Sequence, residues 1–207
     1  INPDEIVDKF GADSLRVYEM FMGPFAQSIA WSTDSLIGGR RFLERVWRLQ
    51  KKVVADKKSK AVNSALELPM HQTIKKVGDD IEQFRFNTAI SSLMILVNTL
   101  EKEAQIPRHV FEITLCILAP FAPHLAEELW MNQGRKKSIH LKPWPIYDPS
   151  RLQSDSVTIV VQVDGHTRGS FIIERNASED MLKIRALALP GIKKWIEGSA
   201  VEKVGVT

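Results

Sequence analysis

Apolar positions along the first two-thirds of the chain recur at helical spacing. Asn2-Pro3-Asp4-Glu5 predicts a helix start, with Asn as cap, Pro at the first helical position and Glu three residues after the cap. Gly11 closes that short helix, and a second follows from about Ala12 to Met22, stopped by Gly23-Pro24. A third is expected from about Asp34 to Lys57, with Leu36, Leu43, Val46, Trp47, Val53 and Val54 on its core side. A polar loop over Lys58 to Ser64 precedes a fourth helix, whose Met70, Ile74, Val77 and Ile81 face inward while Lys75 and Lys76 face solvent. Asn87 is placed to cap a fifth, with Ile90, Leu93, Met94, Val97 and Leu100 as its buried stripe. A sixth runs from Pro107 to Leu118, and a seventh starts at Pro123 and ends before Gly134.

The pattern changes after Gly134. Pro143, Pro145 and Pro149 punctuate 135–156, which reads as a linker. Beyond it, Val157 to Val163 and Thr167 to Ile173 are β-rich runs around an Asp164-Gly165 hairpin turn. Asn176 to Glu179 resembles a capping box before a helix to about Leu189, and Pro190-Gly191 separates a short helix to Glu197. Val201 to Val206 reads as a third strand. The expected fold is mainly α: an antiparallel helical bundle followed by a small α+β domain.

Length and composition narrow the class. A chain of 207 residues makes one large domain or two small ones and hides roughly 70 % of its unfolded surface. With 44 % hydrophobic and 26 % charged residues it is globular in composition, which excludes disorder and collagen. The single cysteine, Cys116, excludes an intrachain disulfide, points to a reducing compartment and reads as a buried structural thiol. The longest apolar stretch, Val110 to Leu129, is interrupted by Pro120 and Pro123, so no membrane span is expected. The chain opens on Ile1 without a signal peptide, which suggests a piece of something longer.

Charge changes the picture more. The net charge of +3 conceals nine Lys or Arg against two acids over residues 40–60, a local +7. Residues 135–142 add Arg135, Lys136, Lys137 and Lys142 with no acid. On the third helix Arg41, Arg45, Arg48 and Lys52 are spaced 4, 3 and 4 apart, within about 60° of each other and opposite the core face. Cations arrayed on a rigid element are what phosphate recognition requires, although a solvated Lys-rich surface has the same composition.

Chemistry beyond binding is sparse. Five scattered histidines and one cysteine give no metal-ligand spacing. Gly38-Gly39 sits in a helical pattern, where close helix packing explains it. Glu127-Glu128 diverge by about 100° on a helix and read as a solvated face, and His124 reads as a capping or packing residue. Trp31, Trp47 and Trp130 could stack on bases, but periodicity assigns Trp47 to the core.

The residues also carry a resemblance. "NPDEIVDKFGADSLRVYEMFMGPFAQSIAWSTDSLIGGRRFLERVWRL" from Asn2 to Leu49 resembles the segment that follows the Lys-Met-Ser-Lys-Ser loop in bacterial-type leucyl-tRNA synthetases. "RFNTAISSLMILVNTL" from Arg85, "LAPFAPHLAEELW" from Leu118, "KPWPIYDPSRL" from Lys142 and "VVQVDGHTRG" from Val160 continue it in the family's own order. Asp164 stands where the family usually has Asn, and Phe10 leads the Gly-Ala-Asp segment where related enzymes have Tyr.

The resemblance implies a division into 1–33, the end of a stem-contact region; 34–134, an anticodon-binding-type bundle; 135–156, a linker; and 157–207, a C-terminal α+β domain lacking its last strand. It further implies the tRNA-binding part of a class I, ATP-dependent leucine–tRNA ligase, cytoplasmic and monomeric. The catalytic motifs and the editing domain would lie upstream of Ile1, so that tRNA(Leu) and those domains are its partners. ATP with Mg would serve the parent enzyme and no cofactor this piece, which by itself should be catalytically inactive. The expected tRNA-binding residues are Arg41, Arg45, Arg48, Lys52, Lys75, Lys76 and Arg168. A stand-alone helical module that binds RNA or protein is the alternative.

Overall fold

Proline and glycine signals at the N-terminus translate directly into geometry. In the computed structural model, which describes residues 2–24, 26–55, 63–152, 156–174 and 176–196, the Asn2 side chain accepts the Asp4 N–H at 3.1 Å and opens α1, Pro3–Phe10. Gly11 adopts φ +86°, a conformation that favours glycine, and turns the chain into α2, Ala12–Phe21. The chain divides into two compact units, residues 1–152 and 153–207.

In the first unit, the Ser32 hydroxyl accepts the Ser35 N–H and opens α3, Thr33–Leu49. This helix is shorter than periodicity predicts. After a tight turn at Gln50–Lys52 the chain extends as β1, Val53–Val54, which pairs in parallel with β2, Ile106–Pro107. The Lys52 ammonium fixes the departure by donating to the carbonyls of Glu101 and Glu103, at 2.6 and 3.0 Å. Both partners are some fifty residues distant in sequence, so no local pattern announces them.

The fourth helix, α4, spans Asn63–Glu82 and runs through Pro69. Asn63 and Ser64, expected in a loop, already belong to it, and the rest of that expected loop lies outside the described residues. A three-residue connection returns the chain as α5, Phe86–Lys102, so the two helices pack antiparallel. Asn87 is not the cap; Arg85 occupies that position without a capping side-chain hydrogen bond. The turn is instead held by Asp80, described below. The helices α6, Arg108–Leu118, and α7, Pro123–Asn132, complete the bundle. Its core joins Val17, Phe42, Val46, Leu49, Val77, Leu93, Val97, Phe111 and Leu129, all buried. Trp47, expected among them, is 40 % exposed, and Phe42 and Leu49 hold the inward positions of α3. Gly39 lies buried against Val17 of α2, the close packing expected, whereas Gly38 is exposed with open space at its Cβ position.

The α2 helix is latched to the start of α7. The Asp13 carboxylate accepts the Leu125 N–H at 2.7 Å and meets His124 Nδ1 at 2.8 Å, while Arg16 donates to the Pro120 carbonyl at 2.8 Å. Thus Asp13 caps α7 from another helix, and His124 packs beside it.

Residues 135–152, read as linker, lie against the bundle. Ile139 is buried, and its N–H and the Ser138 hydroxyl both donate to Glu127, at 2.9 Å. The Trp144 indole lies over Gly78 of α4, and His71 Nδ1 accepts the Asp148 N–H at 3.1 Å. Arg151 pairs with Glu67 at 2.5 Å. Prolines mark the absence of regular structure here, not detachment.

In the second unit, β3, Ser156–Val163, and β4, His166–Glu174, form the expected antiparallel hairpin. Asp164 and Gly165, at φ +51° and +76°, supply the two left-handed residues of a type I′ turn. Ser178, not Asn176, caps α8, Glu179–Ala188, accepting the Met181 N–H. The last described helix, α9, Pro190–Ile196, approaches β4 so closely that a Cβ on Gly191 would sit 2.8 Å from the Arg168 carbonyl. The expected strand Val201 to Val206 lies outside the described residues.

Candidate nucleic-acid interface

The seven expected tRNA-binding cations do not share one situation. Arg41 and Arg48 are exposed on α3, and among the described residues no ion pair engages either. Arg45, four residues from Arg41, is committed to its own fold. Its Nε lies 3.0 and 3.1 Å from the two Glu101 oxygens, and its Nη2 reaches both Glu101 and Asn98 of α5. The hydrogen bond to Glu101 raises the Arg45 pKa, and the same bond, with the charges of Arg45, Arg48 and Lys52, holds the Glu101 carboxyl below its ordinary value. Lys52 is tied to the carbonyls of Glu101 and Glu103 at the end of α5. Half of the predicted stripe therefore bolts α3 to α5.

Lys75 and Lys76 project from α4, but each pairs with an acid one turn on, Asp79 and Asp80. Lys75 also lies 5.9 Å from the centre of the Tyr147 ring. Arg168 stacks on Trp195 at 3.8 Å from the ring centre, its Nε buried without a hydrogen-bond partner. Of the tryptophans, Trp130 is buried and donates to the Lys137 carbonyl at 2.8 Å. Trp31 meets Tyr18 edge to face and donates to Thr33. Neither is presented as a stacking platform.

A different set of cations is brought together. Asn132, at the end of α7, donates to Gln50 at the end of α3, and the β1–β2 pair places the end of α5 and the start of α6 beside them. The ends of α3, α5 and α7 and the start of α6 thus meet at one end of the bundle, and Arg48, Lys51, Lys102, Arg108, Lys136 and Lys137, on them or just beyond, are all six exposed. Two of the acids beside them are engaged, Glu101 by Arg45 and Glu112 by Arg135 Nε and Nη2. Arg48 and Lys51 from the first basic cluster and Lys136 and Lys137 from the second belong to element ends that the fold joins, and with Lys102 and Arg108 they make up a cationic rim. Periodicity on a single helix misses it, although the charge run at 135–142 already carried the signal. Such a rim suits a phosphate backbone, which is bound by count of neutralised charges.

The class of protein follows. Residues 66–184, more than half of the chain, match the family described as the anticodon-binding domain of tRNA ligase, and the chain belongs to that family. Among solved structures it is similar to LeuRS from Agrobacterium radiobacter K84 (agnB2), in a ternary complex with tRNA and LeuAMS. The TM-score is 0.80 at 26 % identity, over 100 % of this chain and 29 % of that one.

Proposed function

We propose that this chain is the tRNA-binding part of a leucine–tRNA ligase, holding tRNA(Leu) while domains elsewhere in the full protein carry out ATP-dependent leucylation. The observation that carries the reading is the cationic rim on a bundle of the anticodon-binding family, with a likeness, over all of this chain and 29 % of the other, to a LeuRS in complex with tRNA. Contacts remote from the reacting ends supply orientation, and a ligase converts that binding energy into rate. ATP and magnesium enter only through those other domains, and the protein works as a cytoplasmic monomer. No helix among the described residues is long and apolar enough to cross a membrane.

Recognition on this reading is of shape and backbone more than of base edges. Competition binding tests it: tRNA(Leu) should displace a labelled tRNA(Leu) at lower concentration than another tRNA of similar length. Equal displacement by all tRNAs would reduce the chain to a general RNA binder, and no binding at all would favour a protein-interaction module.

A further inference from the structure

The third helix carries one large ring that the fold leaves half in solvent. Trp47 forms a wall of a cleft of about 360 Å³ in the first unit, closed on its apolar sides by Phe10, Leu43 and Leu125. Arg40, Glu44, Asp13 and Ser14 are its polar lining. Arg40 Nη1 donates to the Phe10 carbonyl at 2.7 Å, and its Nε to Glu44 Oε1 at 3.0 Å, which fixes both side chains. The cleft thus offers an indole face, apolar walls, and a planar cation beside a hydrogen-bond acceptor. Its volume is at the low end for small-ligand pockets, suited to a single planar group.

Its surroundings select the ligand. Arg40, Glu44 and Trp47 follow one side of α3, and the exposed Arg41 and Arg48 lie about 100° round the same helix. A cleft with an indole wall, beside cations on the same helix, matches a nucleotide, with its base in the cleft and neighbouring phosphates on the helix. Stacking on an aromatic face suits any base, whereas a base must first leave its helix to reach one. We infer that this cleft receives one unstacked base of the bound RNA, stacked on Trp47, while Arg41 and Arg48 hold the adjoining backbone. The inference rests on the tRNA-binding reading above and names a contact within it.

Binding of tRNA to the whole chain, with three variants, tests it. Trp47→Ala should weaken association roughly 5- to 150-fold with the salt slope unchanged, and Trp47→Phe should recover most of the loss. Arg41→Ala/Arg48→Ala should weaken binding and flatten the slope. Added tRNA should quench wild-type tryptophan fluorescence more than that of folded Trp47→Phe, a readout independent of any instability in the alanine variant. If the arginine pair matters while both Trp47 variants bind within twofold of wild type, the base site is wrong and the tRNA reading stands. Failure of wild type to bind tRNA would overturn both. If Trp47 in the full-length protein is shielded from acrylamide before tRNA is added, another part of that protein fills the cleft, and the inference falls.

Discussion

Asp80 is fully buried, and three side chains from two helices and their connection hold it there. Arg85 Nε donates to it at 2.9 Å and the Thr88 hydroxyl at 2.8 Å, and Lys76 pairs with it from the preceding turn. Burial pushes its carboxyl up, but the hydrogen bonds from Lys76 and Thr88 and the charges of Lys76 and Arg85 outweigh that and hold it below the ordinary value. A folded value below the unfolded one means stabilisation that is full above about pH 4 and lost as pH falls through the folded value. Glu101 adds to the same acid limb. Thermal melts should therefore show stability falling on acidification below about pH 4. Asp80→Ala should cost about 2 kcal/mol at neutral pH and make that limb shallower. Equal melts for variant and wild type would show that the cluster contributes nothing. Neither Asp80 nor Asp13 was legible beforehand, because each acts on a partner that only the fold brings near. Phe84, which turns between α4 and α5 at φ +55°, likewise leaves no sequence signal.

At the scale of one helix, α3 shows what periodicity can and cannot tell. Spacing correctly placed Leu36, Leu43 and Val46 inside and Arg41 and Arg48 outside, whereas Arg45 and Lys52 are only partly exposed and Lys52 lies past the helix end. It could not tell which cations were already engaged, nor that Trp47 would border a cleft, because both depend on what α1, α2, α5 and α7 present. The consequence is measurable. Arg45→Ala removes a partly exposed ion pair and should cost no more than about 1 kcal/mol of stability, with tRNA affinity near wild type. Arg41→Ala/Arg48→Ala should do the opposite, keeping stability within about 0.5 kcal/mol and losing affinity. Chemical denaturation and filter binding on the same preparations separate the two. An affinity loss confined to Arg45→Ala would return that residue to the interface.

Among the described residues, the order of the helices and the β-hairpin were legible because each follows from local period and turn chemistry. The stretch 135–152 was not, since its attachment to the bundle rests on isolated contacts: Ile139 in the core, Trp144 over Gly78, Asp148 on His71. A protease of broad specificity should accordingly cut first near the division at Leu152 and Gln153, and a first cut between Ser138 and Tyr147 would show that the attachment does not persist in solution.

The cationic rim is also a whole-molecule feature, assembled from the ends of α3, α5 and α7 and the start of α6. The measurement closest to the central claim is the salt dependence of tRNA(Leu) binding by wild type and by Lys51→Ala/Arg108→Ala/Lys136→Ala. The triple variant should keep its circular dichroism, bind more weakly, and lose roughly 0.7 to 0.9 of the log–log salt slope for each phosphate contact removed. Wild-type affinity and slope in the folded triple variant would contradict the assignment of this surface to tRNA.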